Sequence, residues 1–280
     1  MPLLTIDDLL KYNEEELAAP IHQAKALSSI YDAWLEEDEG DAHSRKPGIH
    51  ASEVASCPRK MVYALRGETR EGRNRKFWRQ RFKAGHAIHG WLQDDFHKMA
   101  KQSGGALRFE SEVKIGPEHQ QLAAAFNIQS STDGVFTFCE AVGEDNGQPL
   151  WVDVLRVGLE IKSEAPDGYE KLREPKPEHI EQAHVYMACL DLPLMWFLYT
   201  NKANQNNTPS DGNWLIRFDT QLWHSMEQRF KAAHQFAAEG RLPERSEGIY
   251  CEFCAFRKPC RPDYLMRRAQ PFAPLRSSRP

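Results

Sequence analysis

The run Leu194 to Thr200 (Leu-Met-Trp-Phe-Leu-Tyr-Thr) is the strongest constraint on this chain. A strand with apolar residues at successive positions has no face to give to water, so it belongs in a sheet covered on both sides. Helical periodicity supplies the covers, over Glu178 to Leu190 before the run and Gln221 to Glu239 after it. Further strands are predicted at Leu107 to Ile115, around Ala123 to Ser130, at Val135 to Cys139, at Trp151 to Ser163 and at Trp214 to Phe218, with Asp145-Asn146-Gly147 as a turn. The predicted fold class is therefore α/β, a mixed central sheet flanked by helices.

With 280 residues, 41% of them hydrophobic, the chain can bury a core as one large domain or as one domain with a small attachment. No apolar run reaches the length of a membrane span, and Met1-Pro2-Leu3-Leu4 lacks the basic and apolar regions of a signal peptide, so a cytoplasmic protein is expected. A net charge of −4 argues against indiscriminate coating of nucleic acid, but the charge is unevenly spread. Acids dominate Met1 to Arg45, whereas Arg59 to Lys83 and Arg257 to Arg279 are basic. The organisation expected is an acidic helical section over 1–48, a main domain over 49–265 and a basic tail over 266–280. The acidic section is a peripheral cover and a candidate docking surface for a protein partner.

The chemistry begins at Thr132-Asp133-Gly134 and Glu160-Ile161-Lys162. Side chains alternate along a strand, so Glu160 and Lys162 share a face that Ile161 leaves. With Asp133 on a paired strand, two carboxylates make a hard, oxygen-rich pocket suited to Mg²⁺ or Mn²⁺, and Lys162 stands beside it. Such a site binds a phosphodiester and activates water. His89 follows Gly85 by one helical turn, and Gln182 and Tyr186 are four apart on one helix face. The Arg59 to Lys83 segment, with Arg59, Lys60 and Arg79, offers non-specific phosphate contacts, as does Lys202; Phe77, Trp78 and Phe82 within that segment are mostly expected in the core.

Cysteines are the second constellation. Cys251, Cys254 and Cys260 give three thiolates in ten residues, and Cys57, at the helix start Ser56-Cys57-Pro58, is the best fourth. Cys139 and Cys189 fall in a strand and on an apolar helix face, where buried free cysteine is ordinary. Four thiolates suit Zn²⁺ or a [4Fe–4S] cluster equally. Either joins the two ends of the main domain.

Taken in order, Cys57-Pro58-Arg59-Lys60-x-x-Tyr63, Gly85-x-x-x-His89, Asp133, Glu160-x-Lys162, Gln182-x-x-x-Tyr186 and the three late cysteines resemble the RecB-like branch of the PD-(D/E)xK nucleases. The likeness is to its iron–sulfur members, the CRISPR-associated RecB-like exonucleases and AddB-type nuclease domains, and covers residues 50 to 262. It implies a restriction-endonuclease-like core with an Fe–S-clamped helical cap. It assigns His89, Asp133, Glu160 and the Ile161 carbonyl to a catalytic Mg²⁺ or Mn²⁺, Lys162 to the attacking water, and Gln182 and Tyr186 to bracing the lysine and the DNA backbone. Cys57, Cys251, Cys254 and Cys260 would hold [4Fe–4S]. Thr132 stands where the family name has proline, the acidic residue is Glu rather than Asp, and the Asp133 to Glu160 separation is long, which a hairpin extension over Gly143 to Pro149 explains. The function implied is a DNA exonuclease acting on single strands or frayed ends, in a setting such as phage recombination, replication or CRISPR adaptation. The rival is a nuclease-like DNA- or protein-binding subunit of a larger complex; an endonuclease or an RNA-cleaving enzyme on the same fold is a third reading.

Overall fold

Period-two alternation over residues 107–115 and 130–164 and the apolar run after residue 193 produce five strands. They are β1 (Leu107–Ile115), β2 (Ser130–Asp145), β3 (Gln148–Glu164), β4 (Leu194–Asn201) and β5 (Trp214–Arg217), joined in that order in one sheet. β1, β2 and β3 are successively antiparallel, β3 and β4 are parallel, and β5 returns antiparallel to β4. The sheet is therefore mixed, and β4 is buried along most of its length, as its apolar run requires. The structure is a computed structural model that describes residues 45–70, 76–205, 214–245, 251 and 254–261, the side chains of 76–79 and 81 excepted.

The helices are α1 (Pro58–Leu65), α2 (Lys76–Gln102), α3 (Gln121–Phe126), α4 (Pro166–Glu170), α5 (Pro177–Leu190), α6 (Thr220–Ala238) and α7 (Arg257–Cys260). Alternation divides the sheet into two faces. Phe136, Leu159, Ile161 and Leu198 pack with Phe109 and with Ile88 and Leu92 of α2. Val135, Met195, Phe197 and Tyr199 pack with Ala183, Tyr186 and Met187 of α5 and with Met226 and Phe230 of α6. Side chains on this second face are the ones that meet α5. None of the described helices is long and apolar enough to cross a membrane.

The strand expected around Ala123 to Ser130 is instead helix α3 followed by a single parallel bridge between Ile49 and Ile128. Its Gln-Leu-Ala-Ala-Ala-Phe sequence favours helix, and Asn127 closes it in the left-handed region at φ 47°. The long spacing between Asp133 and Glu160 has the expected cause. β2 and β3 run on as a two-stranded ribbon past the first β1 pair, Leu107 with Phe138, and turn at Asn146 and Gly147, both with positive φ.

Contacts divide the chain into residues 1–43 with 72–83, and 44–71 with 84–280. The sheet and every site residue below lie in the second unit. The acidic N-terminal section, the expected helices within it and the basic tail lie outside the described residues, as do the side chains of Phe77, Trp78 and Arg79. Phe82, expected with the core aromatics, is half exposed.

One ion network ties the start of the second unit together. Arg70 donates twice to Glu53, both bonds 2.9 Å, while Lys60 lies 3.2 Å and Arg45 3.4 Å from the same carboxylate. Burial alone would raise this carboxyl, but the Arg70 bonds and the charges of Lys60 and Arg45 draw it down to about 2. A folded pKa below the ordinary 4.5 contributes stability that is complete above that value and is lost as pH falls toward 2. Glu53→Gln is therefore expected to cost about 3 kcal/mol at neutral pH. Urea unfolding of both proteins across pH should show this gap closing on acidification below about 4.5; a pH-independent gap would refute the assignment.

Candidate active site

Because Leu159 and Ile161 enter the α2 face, Glu160 and Lys162 are turned to the α5 face. There Lys162 Nζ lies 2.5 Å from Glu160 Oε1 and donates to Gln182 Oε1 at 3.0 Å, and Gln182 Nε2 donates to the Tyr186 hydroxyl at 2.6 Å. The two α5 residues four apart thus act as one bracket on the lysine. On the neighbouring strand Asp133 Oδ2 accepts the Ile161 N–H at 2.5 Å, and its Oδ1 meets His89 Nδ1 at 3.1 Å. Glu160 and Gln182 are buried, whereas His89 is half-buried and His86, one turn earlier in part, is exposed.

The backbone around Asp133 is shaped for this. Thr132, fully buried, donates its hydroxyl to Leu159 O at 2.8 Å and pins β2 to β3. At Gly134 a Cβ would lie 2.4 Å from the Phe109 ring, so no larger residue fits beside the aspartate without moving that ring. On β1, between the pairs Ser111 with Gly134 and Val113 with Thr132, Glu112 takes a positive φ of 52° without shifting the register.

Two residues absent from the sequence reading, Gln93 and Glu112, tie α2 to the strands around Asp133. Gln93 Nε2 donates to Asp133 O at 2.8 Å and to Glu112 Oε1 at 3.0 Å. Gln93 lies one turn after His89, so Gly85, His89 and Gln93 make one stripe of α2, a four-residue spacing visible in the sequence. Glu112, which also accepts from Ser131 Oγ at 3.3 Å, carries no such signal.

The electrostatics favour a cation. Burial pushes the Glu160 carboxyl well above the ordinary carboxylate range; Lys162 opposes this, and the nearby Asp133 charge adds to it. Burial would lower the His89 pKa, but the bond to Asp133 and the charges of Asp133 and Glu160 raise it overall. Two carboxylates on neighbouring strands, one desolvated, with the His89 imidazole bonded to one of them and the Ile161 carbonyl next to the other, are donors of the kind that suits Mg²⁺ or Mn²⁺. Among the described residues no three His, Cys, Asp or Glu side chains stand together as a preassembled metal cage. Here the carboxylates are satisfied by Lys162, His89 and the Ile161 N–H, partners that a dication would replace.

The cysteines occupy a separate region. Cys57 immediately precedes α1, and Cys254 and Cys260 pack beside Tyr63, Ala64 and Phe256, with the Tyr63 and Phe256 rings stacked at 5.4 Å. The Cys254 N–H donates to Cys251 O at 3.3 Å. Burial raises the Cys254 thiol, with Cys260 and Cys251 adding to it and Lys60 opposing. Cys139 and Cys189 are buried, as expected. Arg59 and Lys60, expected on DNA from the sequence, have internal partners: Arg59 donates to Pro243 O at 2.7 Å and lies 3.9 Å from Cys260 Sγ, and Lys60 pairs with Glu53. Lys202 follows β4, its N–H bonded to Glu164 O at 2.9 Å.

No protein-family model matches this sequence, and a comparison with curated proteins finds no match. Among solved structures, LHK-Exo in complex with dAMP is similar at 18% identity and a TM-score of 0.44, over 72% of this chain and 93% of that one. The alkaline exonuclease LHK-Exo from Laribacter hongkongensis is similar at 18% identity and 0.38, over 70% and 91%. SSO0001 is similar at 15% and 0.38, over 82% and 94%. At TM-scores below 0.5 these are distant likenesses of chain path, and the chemistry of the site is read from its own residues.

Proposed function

We propose that this protein is a divalent-metal-dependent nuclease that hydrolyses phosphodiester bonds in DNA, acting as an exonuclease on single strands or frayed ends. The observation that carries the reading is Lys162 Nζ held between Glu160 Oε1 and Gln182 Oε1, with the Asp133 carboxylate on the adjoining strand. A fixed ammonium beside two carboxylates meets the needs of phosphoryl transfer to water, namely a place for a cation and a positive group for charge developing on phosphate oxygens. Asp133, Glu160, the Ile161 carbonyl and His89 would hold Mg²⁺ or Mn²⁺, which when bound supplies a water of lowered pKa. Lys162 orients that water and stabilises the phosphate charge. Gln182 and Tyr186 keep the lysine in place, and Gln93 ties α2 to the Asp133 backbone.

Cys57, Cys251, Cys254 and Cys260, no three of which stand together as a preassembled metal site among the described residues, would in this reading draw together around a structural metal, [4Fe–4S] or Zn²⁺, that joins α1 to the end of the domain.

The test is incubation of the anaerobically purified protein with Mn²⁺ and either an end-labelled single-stranded oligonucleotide or circular single-stranded DNA. A ladder from the labelled substrate with the circle left intact is expected. Cleavage of both would replace the exonuclease by an endonuclease. Cleavage of neither, with salt-dependent binding retained, would move the reading to a DNA-binding subunit.

A further inference from the structure

Resting on the nuclease reading, we infer that Lys176 and the Nε2–H of His179 form a second phosphate-binding subsite, which receives the phosphate next to the scissile one in a polynucleotide strand.

The placement follows from β3. Glu160, Lys162 and Glu164 lie on one face, with Lys162 and Glu164 about 7 Å apart along the strand. Lys176 Nζ is held at the Glu164 position, 2.5 Å from Glu164 Oε1. Two ammonium groups therefore stand in succession along one strand, the first in the catalytic cluster and the second beyond it. Gly168 leaves room for Glu164, since a Cβ there would lie 3.2 Å from Glu164 Oε2. The Glu164 pairing consumes one of the three Lys176 protons and leaves the others to a ligand.

Tyr199 fixes the rest. It pairs with Lys162 in the β3–β4 register and is fully buried. Its hydroxyl accepts the Lys176 N–H at 3.2 Å and lies 2.6 Å from His179 Nδ1. With Tyr199 O–H as the donor to Nδ1, the ring carries its hydrogen on Nε2. Burial, followed by the charges of Lys162 and Lys176, draws the His179 pKa down to about 3, so the ring is neutral at pH 7. Among the described residues Nε2 has no hydrogen-bond partner, and it is not among the buried polar atoms. Two cations and a neutral N–H donor on a rigid scaffold of Tyr199 and Glu164 form a track for successive phosphates. A lone phosphodiester without a neighbouring phosphate would use only the Lys162 end.

The test compares wild type, Lys176→Gln and Lys176→Arg on a single-stranded oligonucleotide and on thymidine 5′-(4-nitrophenyl phosphate), which has one phosphodiester. Oligonucleotide affinity is also read by fluorescence anisotropy in Ca²⁺. Lys176→Gln is expected to shift the ratio of kcat/KM for the two substrates about tenfold against the oligonucleotide, through KM, and to reduce the salt slope of binding by about one. Lys176→Arg should restore most of both. Equal losses on the two substrates, or no loss of affinity, would overturn the subsite. An inactive wild type whose affinity still drops in Lys176→Gln would defeat the nuclease reading and keep the phosphate subsite.

Discussion

Glu160→Gln is expected to abolish Mn²⁺-dependent cleavage, with a loss of at least about a thousandfold, while leaving the fold intact or more stable. The two effects have one cause. Glu160 is a buried carboxylate whose charge is costly in its surroundings, only partly offset by Lys162 at 2.5 Å. Glutamine keeps the shape and an oxygen that can still accept from Lys162, but it removes the charge that a dication needs. Without metal, the variant should melt at or above the wild-type temperature. Mn²⁺ should raise the wild-type Tm by binding the native state only, and should leave the variant's Tm where it was. Thermal melts with and without Mn²⁺, beside the cleavage assay, separate this from simple misfolding. A variant that unfolds at a much lower temperature, or that keeps its Mn²⁺ shift, would remove Glu160 from the metal site.

The second large effect is expected at the cysteines. On the four-cysteine reading proposed above, Cys254→Ser should lose a metal that the wild type carries and lower Tm by about 10 °C, the consequence of losing a few kcal/mol in a chain of this size. The reason is topological. Cys57 and Cys251 are far apart in the chain, and a shared ion would hold α1 and the terminal segment together in addition to the packing of Tyr63 on Phe256. Metal analysis and the visible spectrum of anaerobic protein would decide between [4Fe–4S] and Zn²⁺. Cys189→Ala is the control, since that thiol is buried in the α5 layer and should leave the metal content untouched. Full metal content in Cys254→Ser would refute the four-cysteine assignment.

Much of the fold was legible because its signals are local. β1 begins and ends at the predicted residues, Leu107 and Ile115, and α5 and α6 begin within one residue of the predicted starts, since alternation and helical spacing are properties of neighbouring side chains. The Ala123 to Ser130 prediction misled because an alanine-rich stretch followed by Ile128 and polar residues has no clear period. There helix α3 prevails, with Asn127 as its stop, Ile128 pairing through one bridge and Ser130 opening β2.

The sequence alone determined that Glu160 and Lys162 share a face, that Gln182 and Tyr186 are neighbours on a helix, and that residues 194–200 are interior. Each follows from a repeat of two or 3.6 residues along a few positions. Tertiary structure decided which faces meet: Lys162 with Gln182, His89 with Asp133, Gln93 with both Asp133 and Glu112, and Tyr199 with Lys176 and His179. It also turned Arg59 and Lys60 toward Pro243, Cys260 and Glu53. Charge and spacing fix what a side chain can do, but its partner depends on how the sheet's two faces are covered, and that is set by packing across tens to hundreds of residues.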